Sequence, residues 1–420
     1  MMNNECAVVG GGPAGMVLGL LLARGGVRVT VLEKHSDFLR DFRGDTVHAS
    51  TLTLLDELGL GERFAAMPHR DVERMTVRLD AGEAPVADFR RLPGAHRNIA
   101  FAPQWDLLDL LAAAAAEERT FTLIRDAEVI DVLRQDDTVV GVRYRDRATG
   151  TEHDLAASLT VACDGRSSAV RAAAGIRPRR FGVPMDVLWF RLPRTSTDPD
   201  GVFGRLSVGR FAITIDRGEY WQCAYVIPKG HDAALRSAGI EEFRRDVAAL
   251  LPWTADRLDS VASMDDVKLL DVELNRLRRW YADGLLLLGD AAHAMSPVGG
   301  VGINLAVADA VAAARILGPT LRSRGAVPAR LLAKVQRRRW LPTVVIQGVQ
   351  RGIHRAILAP ALAGPVAGTH GATALPLPLR VLRRFPVLQG VTARMIAIGP
   401  LPEHAPAWAR RRAARSAAGR

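Results

Sequence analysis

Residues 10–15 read GGGPAG, and the sequence on either side of them decides the fold. The short apolar run Glu5–Val9 precedes this stretch and predicts a β-strand. The apolar run Met16–Arg24 follows it, predicts a helix and ends at a Gly-Gly pair. A second extended run, Val27–Leu32, completes a strand–turn–helix–strand unit. The N-terminal segment therefore predicts one βαβ unit with a glycine-rich first turn.

The glycine-rich turn fits the pattern G-x-G-x-x-G through Gly10, Gly12 and Gly15. Glycines in this pattern allow a tight turn, a close approach of the backbone to a pyrophosphate, and close packing of helix on strand. Pro13 suits the first turn of the helix, whose N-terminus would hold the phosphates. Glu33 ends the second strand, where a carboxylate can accept a hydrogen bond from a ribose hydroxyl. We interpret this unit as dinucleotide-binding, with a purely structural glycine turn as the alternative.

Two further glycine-containing motifs lie downstream. The first, Cys163-Asp164-Gly165-Arg166-Ser167-Ser168, follows a strand-like run and on its own indicates a simple Asp-Gly turn. The second begins with Gly289-Asp290-Ala291-Ala292-His293, directly after the apolar run Leu285–Leu288. It continues through residues 297–303 into a helix predicted over Asn304–Leu317. Asp290 is therefore predicted at the carboxyl end of a strand, where open α/β sheets bind ligands.

In this order, the three motifs resemble those of flavoprotein monooxygenases of the para-hydroxybenzoate hydroxylase type, over roughly Ala7 to Leu317. The resemblance implies an α/β fold. It comprises a discontinuous Rossmann-like FAD-binding domain, a second, antiparallel-sheet substrate domain over the flavin, and a helical C-terminal segment. We predict the FAD-binding domain at residues 1–70, 100–180 and 270–330. The substrate domain is predicted at residues 71–99 and 181–269, and the basic helical segment at residues 331–420.

The resemblance assigns FAD contacts to individual residues of this chain. The predicted contacts are Gly10, Gly12, Pro13, Ala14 and Gly15 at the pyrophosphate, Glu33 at the adenosine ribose, Lys34, Arg43, Gln104, Val129 at the adenine, Asp164 and Gly165, Asp290, and Pro297, Gly300, Val301, Gly302, Ile303 and Asn304 beside the isoalloxazine ring. Asp164 and Gly165 match a motif that also touches the nicotinamide nucleotide. Many relatives carry arginine where this chain has Gln104, just before a helix predicted over Leu107–Glu118 with Asp106 as its N-cap.

Few residues outside the cofactor contacts are candidates for chemistry. His48 and Pro297 are predicted to lie near the flavin, but no side chain is expected to be an obligatory acid or base. His293 follows two alanines at a predicted helix start, and we interpret it as structural. The glycine-rich helix N-terminus near Asn304 offers N–H groups and the positive end of a helix dipole to the negative charge of a reduced flavin.

Substrate candidates come from the predicted antiparallel sheet. Trp189 and Arg191 share one face by alternation, as do Trp221 and Tyr225. One of these faces is expected to look toward the flavin, and the sequence leaves open which. The alternative is that these aromatic residues belong to the core.

The resemblance implies FAD-dependent monooxygenation of an aromatic or polyketide-like small molecule. In that reaction NAD(P)H, a transient co-substrate, reduces FAD, and O2 adds to give a flavin C4a-hydroperoxide that hydroxylates the substrate. A second G-x-G-x-x-G pattern does not occur, so no separate NAD(P)H domain is expected. Two alternatives stay open: another flavin oxidoreductase or halogenase on the same scaffold, and a non-catalytic flavin-binding sequestration or sensor protein. Substrate-stimulated NAD(P)H oxidation would discriminate between turnover and sequestration.

Composition sets the remaining limits. The 420 residues are 48% hydrophobic and 24% charged, which predicts a globular chain of two or three domains. No long uninterrupted apolar run predicts a membrane span, and three scattered cysteines predict neither a disulfide framework nor a metal site. We therefore expect a cytoplasmic protein.

Positive charge is concentrated near the C-terminus. The net charge is +11, and residues 331–420 carry fifteen Lys and Arg residues but one acid, Glu403. Aromatic residues do not interleave with these charges, which argues against a nucleic-acid partner. Two interpretations stay open for this segment: a solvated charged face packed on the FAD domain, and contact with an anionic or membrane surface.

Overall fold

The fold is that of a computed structural model, which describes residues 4–39, 46–80, 82–199, 201–207, 209–363 and 377–411. Arg43, one of the predicted FAD contacts, lies outside these residues. The architecture is mixed α/β, with two large sheets and a helical C-terminal region, as predicted.

The first large sheet has eight strands and contains the βαβ unit. Six of them follow the spatial order Tyr281–Ala282, Leu285–Leu287, Glu152–Ala162, Asn4–Val9, Val29–Leu32 and Phe121–Ile124. Neighbours in this row are parallel, except for the first pair. The strands Ala127–Gln135 and Thr138–Asp146 continue from Glu152–Ala162 as an antiparallel meander. Val29–Leu32 and Leu285–Leu287 are buried at every residue, as expected for parallel strands covered on both faces.

Helices cover this sheet. The helix of the βαβ unit, Pro13–Arg24, packs against Gly302–Arg322 and Gln104–Ala116. The segment Val298–Arg322 is long and apolar enough to cross a membrane, but 56% of its apolar window is buried inside the protein. The remaining α-helices of the described residues are Ala49–Glu57, Gly61–Ala65, Ala169–Ala173, Asp232–Ala238, Ile240–Leu250, Ala329–Ile353, Ala359–Leu362, Leu377–Arg384 and Val387–Ala397. A π-helical turn, His354–Leu358, joins Ala329–Ile353 to Ala359–Leu362.

The second large sheet has seven strands. Their spatial order is Lys268–Leu270, Met185–Pro193, Tyr220–Pro228, Arg210–Asp216, Val202–Ser207, Arg74–Leu79 and Gly82–Asp88. All neighbours are antiparallel except Val202–Ser207 and Arg74–Leu79, which run parallel because they come from distant parts of the chain. Helix Ile240–Leu250 covers one face through Phe243, Val247 and Leu250.

Short elements complete the fold. Thr46–Val47, Ile99–Phe101 and Arg70–Val72 form a three-stranded sheet, and Arg179–Phe181 pairs with Leu274–Arg276. The 3-10 turns are Phe89–Arg91, Pro252–Ser260, Met264–Asp266, Gly289–Ala291, Val298–Gly300 and Ala407–Ala409.

One predicted helix boundary is wrong. The helix expected over Leu107–Glu118 is Gln104–Ala116, and its N-cap residue is Pro103. Proline is well tolerated at a helix start, because the first N–H groups have no intrahelical acceptor. Asp106 therefore lies within the first turn, where a carboxylate still interacts favourably with the helix dipole.

Candidate functional site

The glycine-rich motifs meet at the carboxyl edge of the parallel strands. The Gly10 N–H donates to Leu32 O at 2.8 Å, which joins the first turn to the end of the neighbouring strand. The Cys163 N–H donates to Val9 O at 2.7 Å, which brings the second motif beside the first. Asp290 follows the adjacent parallel strand, Leu285–Leu287. Residues more than 100 positions apart in sequence therefore form one edge.

The first turn has the two close approaches that its glycines predict. Gly10 has a φ of 101°, and a Cβ there would lie 2.5 Å from the carbonyl oxygen of Cys163. A Cβ on Gly15 would lie 1.9 Å from the carbonyl oxygen of Gly10, so helix and strand meet at van der Waals contact. A Cβ on Gly12 would meet no atom within 4 Å. Gly12 is also the N-cap of helix Pro13–Arg24 and supplies no side-chain cap, so the helix N-terminus faces open space.

Glu33 holds the turn from the second strand. Its Oε2 accepts a hydrogen bond from the Gly11 N–H at 2.8 Å, and its Oε1 accepts one from the His35 N–H at 3.1 Å. The Glu33 side chain is buried, whereas the neighbouring Lys34 is exposed. The carboxylate is thus at the predicted position and is oriented by the backbone of the turn itself.

Asp164 and Gly165 leave an acceptor and open space at the next strand end. Asp164 Oδ2 accepts from the Val170 N–H at 3.2 Å, while its Oδ1 is buried and has no hydrogen-bond partner among the described residues. Burial raises the pKa of Asp164, against hydrogen bonds from Ser168 and Val170. Gly165 has a φ of 85°, and a Cβ there would meet nothing within 4 Å. The half-buried Asp290 lies at the neighbouring strand end.

The segment after Pro297 is a tight loop that opens the helix Gly302–Arg322. Gly299 and Gly300 both have positive φ, and a Cβ on Gly300 would lie 2.7 Å from Thr46 Oγ1. That hydroxyl donates to Gly300 O at 3.0 Å. Val301 is the N-cap residue, and both Val301 and Ile303 pack into apolar clusters.

Asn304 fixes the start of this helix from within. Its Oδ1 accepts hydrogen bonds from Ser50 Oγ at 2.6 Å and from Thr51 Oγ1 at 2.8 Å. Both hydroxyls belong to helix Ala49–Glu57, so the loop is held against that helix. The Asn304 side-chain oxygen is therefore engaged within the protein.

The other two predicted cofactor residues lie on flanking elements. Gln104 is the half-buried first residue of helix Gln104–Ala116. Val129 lies in the meander, paired with Tyr144, and is buried in an apolar cluster with Val9 and Leu32. Both are thus on segments that adjoin the strand ends.

His48 is fully buried between this loop and the C-terminal helices. Its Nδ1–H donates to Ile396 O at 2.7 Å, and the Ile396 side chain lies close to Gly299. Burial lowers the pKa of His48 to about 4, against the opposing effect of the carbonyl groups of Ile396 and Gly300. The ring is neutral near pH 7 and links the loop to helix Val387–Ala397.

Two of the substrate candidates, Trp221 and Tyr225, lie in the core, which is the alternative that the sequence left open. Trp221 and Tyr225 point to the sheet face that helix Ile240–Leu250 covers, and both are buried in that cluster. Trp221 Nε1–H donates to Asp198 at 2.8 Å, and the Tyr225 ring packs edge-on against Phe243. These aromatic residues are core residues, because the covering helix separates them from the rest of the protein.

Trp189 and Arg191 point to the opposite face. They share it with Ile213, Ile215 and Gln222, because directly paired residues of antiparallel strands point the same way. Trp189 and Ile213 pack in clusters that include Val298 and Ile396, on the loop after Pro297 and the C-terminal helix. Arg191 is exposed, with its guanidinium 5.1 Å from the centroid of Tyr220.

Gln222 is a site residue that sequence analysis missed. It is 5% exposed, and its Nε2 has no hydrogen-bond partner among the described residues. Alternation alone would have placed it opposite Trp221, but nothing in the sequence distinguished the two faces. Thr46 and Ile396, which contact the glycine loop, were also missed, since neither belongs to a motif.

A buried ion-pair network centred on Asp309 includes His293 of the third motif. Asp309 accepts from His293 Nε2 at 2.6 Å and from Arg339 Nε at 2.9 Å, and all three side chains are buried. Burial favours the protonated acid, but the charges and hydrogen bonds of His293 and Arg339 outweigh it and lower the pKa of Asp309. His293 is structural, as interpreted from sequence. A lone aspartate in the apolar run of helix Gly302–Arg322 was the available signal for this network.

Comparisons with known proteins agree with this arrangement. The FAD binding domain family matches residues 3–348 of the chain. The chain is 37% identical over 343 residues to 6-methylpretetramide 4-monooxygenase of Streptomyces rimosus, covering 80% of each protein.

Solved structures are similar over most of the fold. OxyS anhydrotetracycline hydroxylase from Streptomyces rimosus superposes with a TM-score of 0.74 at 22% identity, over 94% of this chain and 76% of that one. PqsL of Pseudomonas aeruginosa in complex with 2-aminobenzoylacetate gives 0.72 at 22% identity, over 86% of this chain and 97% of that one.

Proposed function

Because this chain belongs to the FAD binding domain family and is an FAD-dependent monooxygenase, we propose that it hydroxylates an aromatic, polyketide-like small molecule. One observation carries the proposal. The sheet face that carries Trp189 and Ile213 packs against Val298, on the loop that leads into helix Gly302–Arg322. That helix packs in turn on Pro13–Arg24, the helix of the glycine-rich turn. On this support we propose that a chamber for an apolar substrate lies between this sheet face and the proposed cofactor-binding edge.

We propose that the pyrophosphate of FAD lies at the N-terminus of helix Pro13–Arg24. The open space beside Gly12 and the uncapped N–H groups of this helix suit an anion. The orphaned Oδ1 of Asp164 and the open space at Gly165 suit a hydroxyl-bearing part of the same ligand. Asp290, and Glu33 at the ribose, complete the proposed contacts. Bound FAD supplies the redox chemistry, in which a reduced flavin activates O2.

We propose that the protein's own residues bind, orient and shield the substrate. Trp189, Ile213 and Ile215 would contact its apolar surface, and the Gln222 amide would donate to a carbonyl or phenol oxygen. Ile396 would close the chamber from the C-terminal side and exclude water. The N–H groups at the start of helix Gly302–Arg322 would face developing negative charge on the ring.

The remaining partners are part of the same proposal. NAD(P)H serves as reductant and O2 as oxidant, and the location is cytoplasmic, in agreement with three free cysteines. For the C-terminal helices we propose contact with an anionic surface, because exposed apolar side chains lie among arginines there.

The test is substrate-dependent oxidation of NADH and NADPH by the FAD-loaded protein. A panel of phenols, quinones and tetracyclic aromatic polyketides would be incubated under 18O2 and analysed by mass spectrometry. Incorporation of one labelled oxygen, lost in Gln222→Leu but kept in the exposed-site control Arg245→Ala, would support the proposal. A brominated or chlorinated product, or bound FAD with no stimulated oxidation across the panel, would contradict it.

A further inference from the structure

A cleft of about 480 Å³ lies at the outer edge of the first large sheet. Four arginines line it: Arg177, Arg179, Arg278 and Arg279. The rest of its lining comes from Ile176, Pro178, Tyr281 and Ala282. All four arginines are exposed. We refer to this feature as the arginine cleft.

The positive charge of the arginine cleft has no acidic partner among the residues that the structure describes. Among the described residues, no carboxylate lies within ion-pair distance of its four guanidinium groups. Arg180, next in sequence, lies 3.9 Å from Glu273, and that is a weak exposed pair. Elsewhere on the surface, arginines such as Arg143 form close pairs with carboxylates. The cleft thus keeps its positive charge available.

Further arginines increase that charge. Arg276 and Arg351 place their guanidinium groups 5.5 Å and 5.1 Å from the centroid of the Phe181 ring. Arg179 lies directly across from Arg276 in the two-stranded sheet. Burial lowers the pKa of Arg276, and the like charges of Arg179 and Arg351 lower it further. Like charges directly opposite each other destabilise a sheet. A bound anion would offset the repulsion between these arginines.

The chemistry of the cleft suits a phosphate monoester. Guanidinium groups bind phosphate oxygens in a bidentate manner, and several around one concave site give specificity as well as charge. Tyr281 adds a flat apolar surface, with Arg279 stacked 4.4 Å from its centroid. A phosphate attached to a nucleoside would use both features.

The cleft lies near the strand that leads into the second glycine-containing motif. Its strand, Tyr281–Ala282, is the second neighbour of Glu152–Ala162, which leads into Asp164 and Gly165. Strands are spaced about 4.8 Å apart, so the cleft lies on the order of 10 Å from that strand along the sheet. Helix Ala169–Ala173 and the short loop after it connect Gly165 to Arg177 directly.

Because NADPH carries a phosphate monoester that NADH lacks, and the proposed reductant is a nicotinamide nucleotide, we propose that the arginine cleft binds the 2′-phosphate of NADPH, so that the enzyme discriminates in favour of NADPH over NADH. The inference rests on the proposed function, in which a nicotinamide nucleotide is the reductant. NADH lacks this phosphate and would leave the guanidinium groups without their anion.

The test uses the FAD-loaded protein and three probes: adenosine 2′,5′-bisphosphate, adenosine 5′-monophosphate and inorganic phosphate. Calorimetric titration would be performed on the unmodified protein, on Arg177→Ala and Arg279→Ala, and on Arg245→Ala. Arg245 is a matched control, because its side chain is 74% exposed on a helix of the second sheet. Since the three substituted residues, Arg177, Arg279 and Arg245, are exposed, each variant is expected to fold and to keep its flavin.

We expect the bisphosphate to bind more tightly than the other two probes. Each cleft variant should weaken it by about tenfold or more, as for a lost hydrogen bond between charged groups, with little change in the control. KM for NADPH should rise by a similar factor while KM for NADH stays the same. Equal affinities for the bisphosphate and for inorganic phosphate, or equal effects of cleft and control variants, would overturn the proposal.

The failure of this inference is distinguishable from failure of the proposed function. If NADPH oxidation and hydroxylation persist but the cleft variants behave as the control does, the 2′-phosphate assignment is wrong and the proposed function stands. If the bisphosphate binds in the cleft but no substrate stimulates oxidation of either nucleotide, the proposed function is wrong.

Discussion

His48 donates its Nδ1 hydrogen to the backbone carbonyl oxygen of Ile396, across 2.7 Å and 348 positions of sequence. The bond joins the N-cap residue of helix Ala49–Glu57 to the end of helix Val387–Ala397. Since Ile396 also approaches Gly299, this contact holds the C-terminal helix over the glycine loop of the candidate site.

His48 should make stability depend on pH. Its pKa in the folded protein is about 4, against an ordinary value of 6.5, so between these values the unfolded chain binds more protons. The free energy of unfolding should therefore fall as pH is lowered from 6.5 toward 4, by up to about 3 kcal/mol. Urea denaturation at pH 7.5, 6 and 5 would measure it.

The matched variants for this effect are His48→Asn and His153→Asn. Asparagine can still donate to Ile396 O and is a favoured N-cap residue, but it does not titrate. His48→Asn should flatten the pH dependence, and His153→Asn, at an exposed position, is the control for the substitution itself. An unchanged slope in His48→Asn would show that other groups cause the acid sensitivity.

The cofactor should be FAD, held at the first turn and at Asp290. Gly12→Val would fill the open space at the helix N-terminus, and Asp290→Ala would remove the carboxylate after Leu285–Leu287. Both purified variants should lose most of the bound flavin, measured by absorbance and by chromatography of the released nucleotide. The control is Gly352→Val, whose side chain also points into open space but lies on another helix, Ala329–Ile353. This variant should keep its bound flavin. Full flavin content in Asp290→Ala would contradict this placement of the third motif.

Substitution of two tryptophans should have different effects. One should change the stability of the fold, and the other should change how tightly NADPH consumption is coupled to hydroxylation. Trp221→Ala should lower the free energy of unfolding by about 3–5 kcal/mol, because it opens a cavity beneath helix Ile240–Leu250. Trp189→Ala should instead raise the ratio of hydrogen peroxide to hydroxylated product at matched NADPH consumption, since the substrate would be less closely held. The reverse pattern, with coupling lost in a stable Trp221→Ala, would mean that the substrate contacts the other face.

The Asp309–Arg339 pair should be strongly coupled. Asp309→Leu alone leaves Arg339 buried beside His293 without its main carboxylate, and should cost about 3–5 kcal/mol. Adding Arg339→Met should recover part of the lost stability, because the double variant no longer buries an unpaired arginine at this position. Denaturant unfolding of both single variants and the double variant gives the coupling energy. Additive losses would argue against a direct interaction.

The C-terminal helices should bind anionic vesicles. Leu377, Phe385, Val387 and Val391 are 54–72% exposed, and the neighbouring charges in Leu377–Arg384 are basic. Flotation with phosphatidylglycerol vesicles should exceed flotation with phosphatidylcholine, fall at high salt and be lost in Val387→Asp. Leu341→Asp, at a site 63% exposed on another helix, should leave flotation unchanged. If equal amounts of protein are found in the floated fraction with and without lipid, the C-terminal segment is better interpreted as a solvated charged face that does not contact a membrane.

Local sequence pattern accounts for the elements of this protein that depend on neighbouring residues. The βαβ unit, the glycine turn, Glu33 at the end of the second strand and Asp290 after Leu285–Leu287 all follow from local pattern, because backbone sterics and periodicity act over a few residues. The domain boundaries and the individual FAD contacts stay predictions.

The packing of the whole fold, and not the strands themselves, sets which face of the second sheet helix Ile240–Leu250 covers. Alternation placed Trp189 and Arg191 on one face and Trp221 and Tyr225 on the other, but both faces have the same period and similar residues. Helix Ile240–Leu250 covers the second pair, and that packing depends on total apolar area buried across the fold rather than on any strand. The contacts of His48 with Ile396 and of Asp309 with Arg339 were likewise set by folding, since burial and pairing of polar groups require partners distant in sequence.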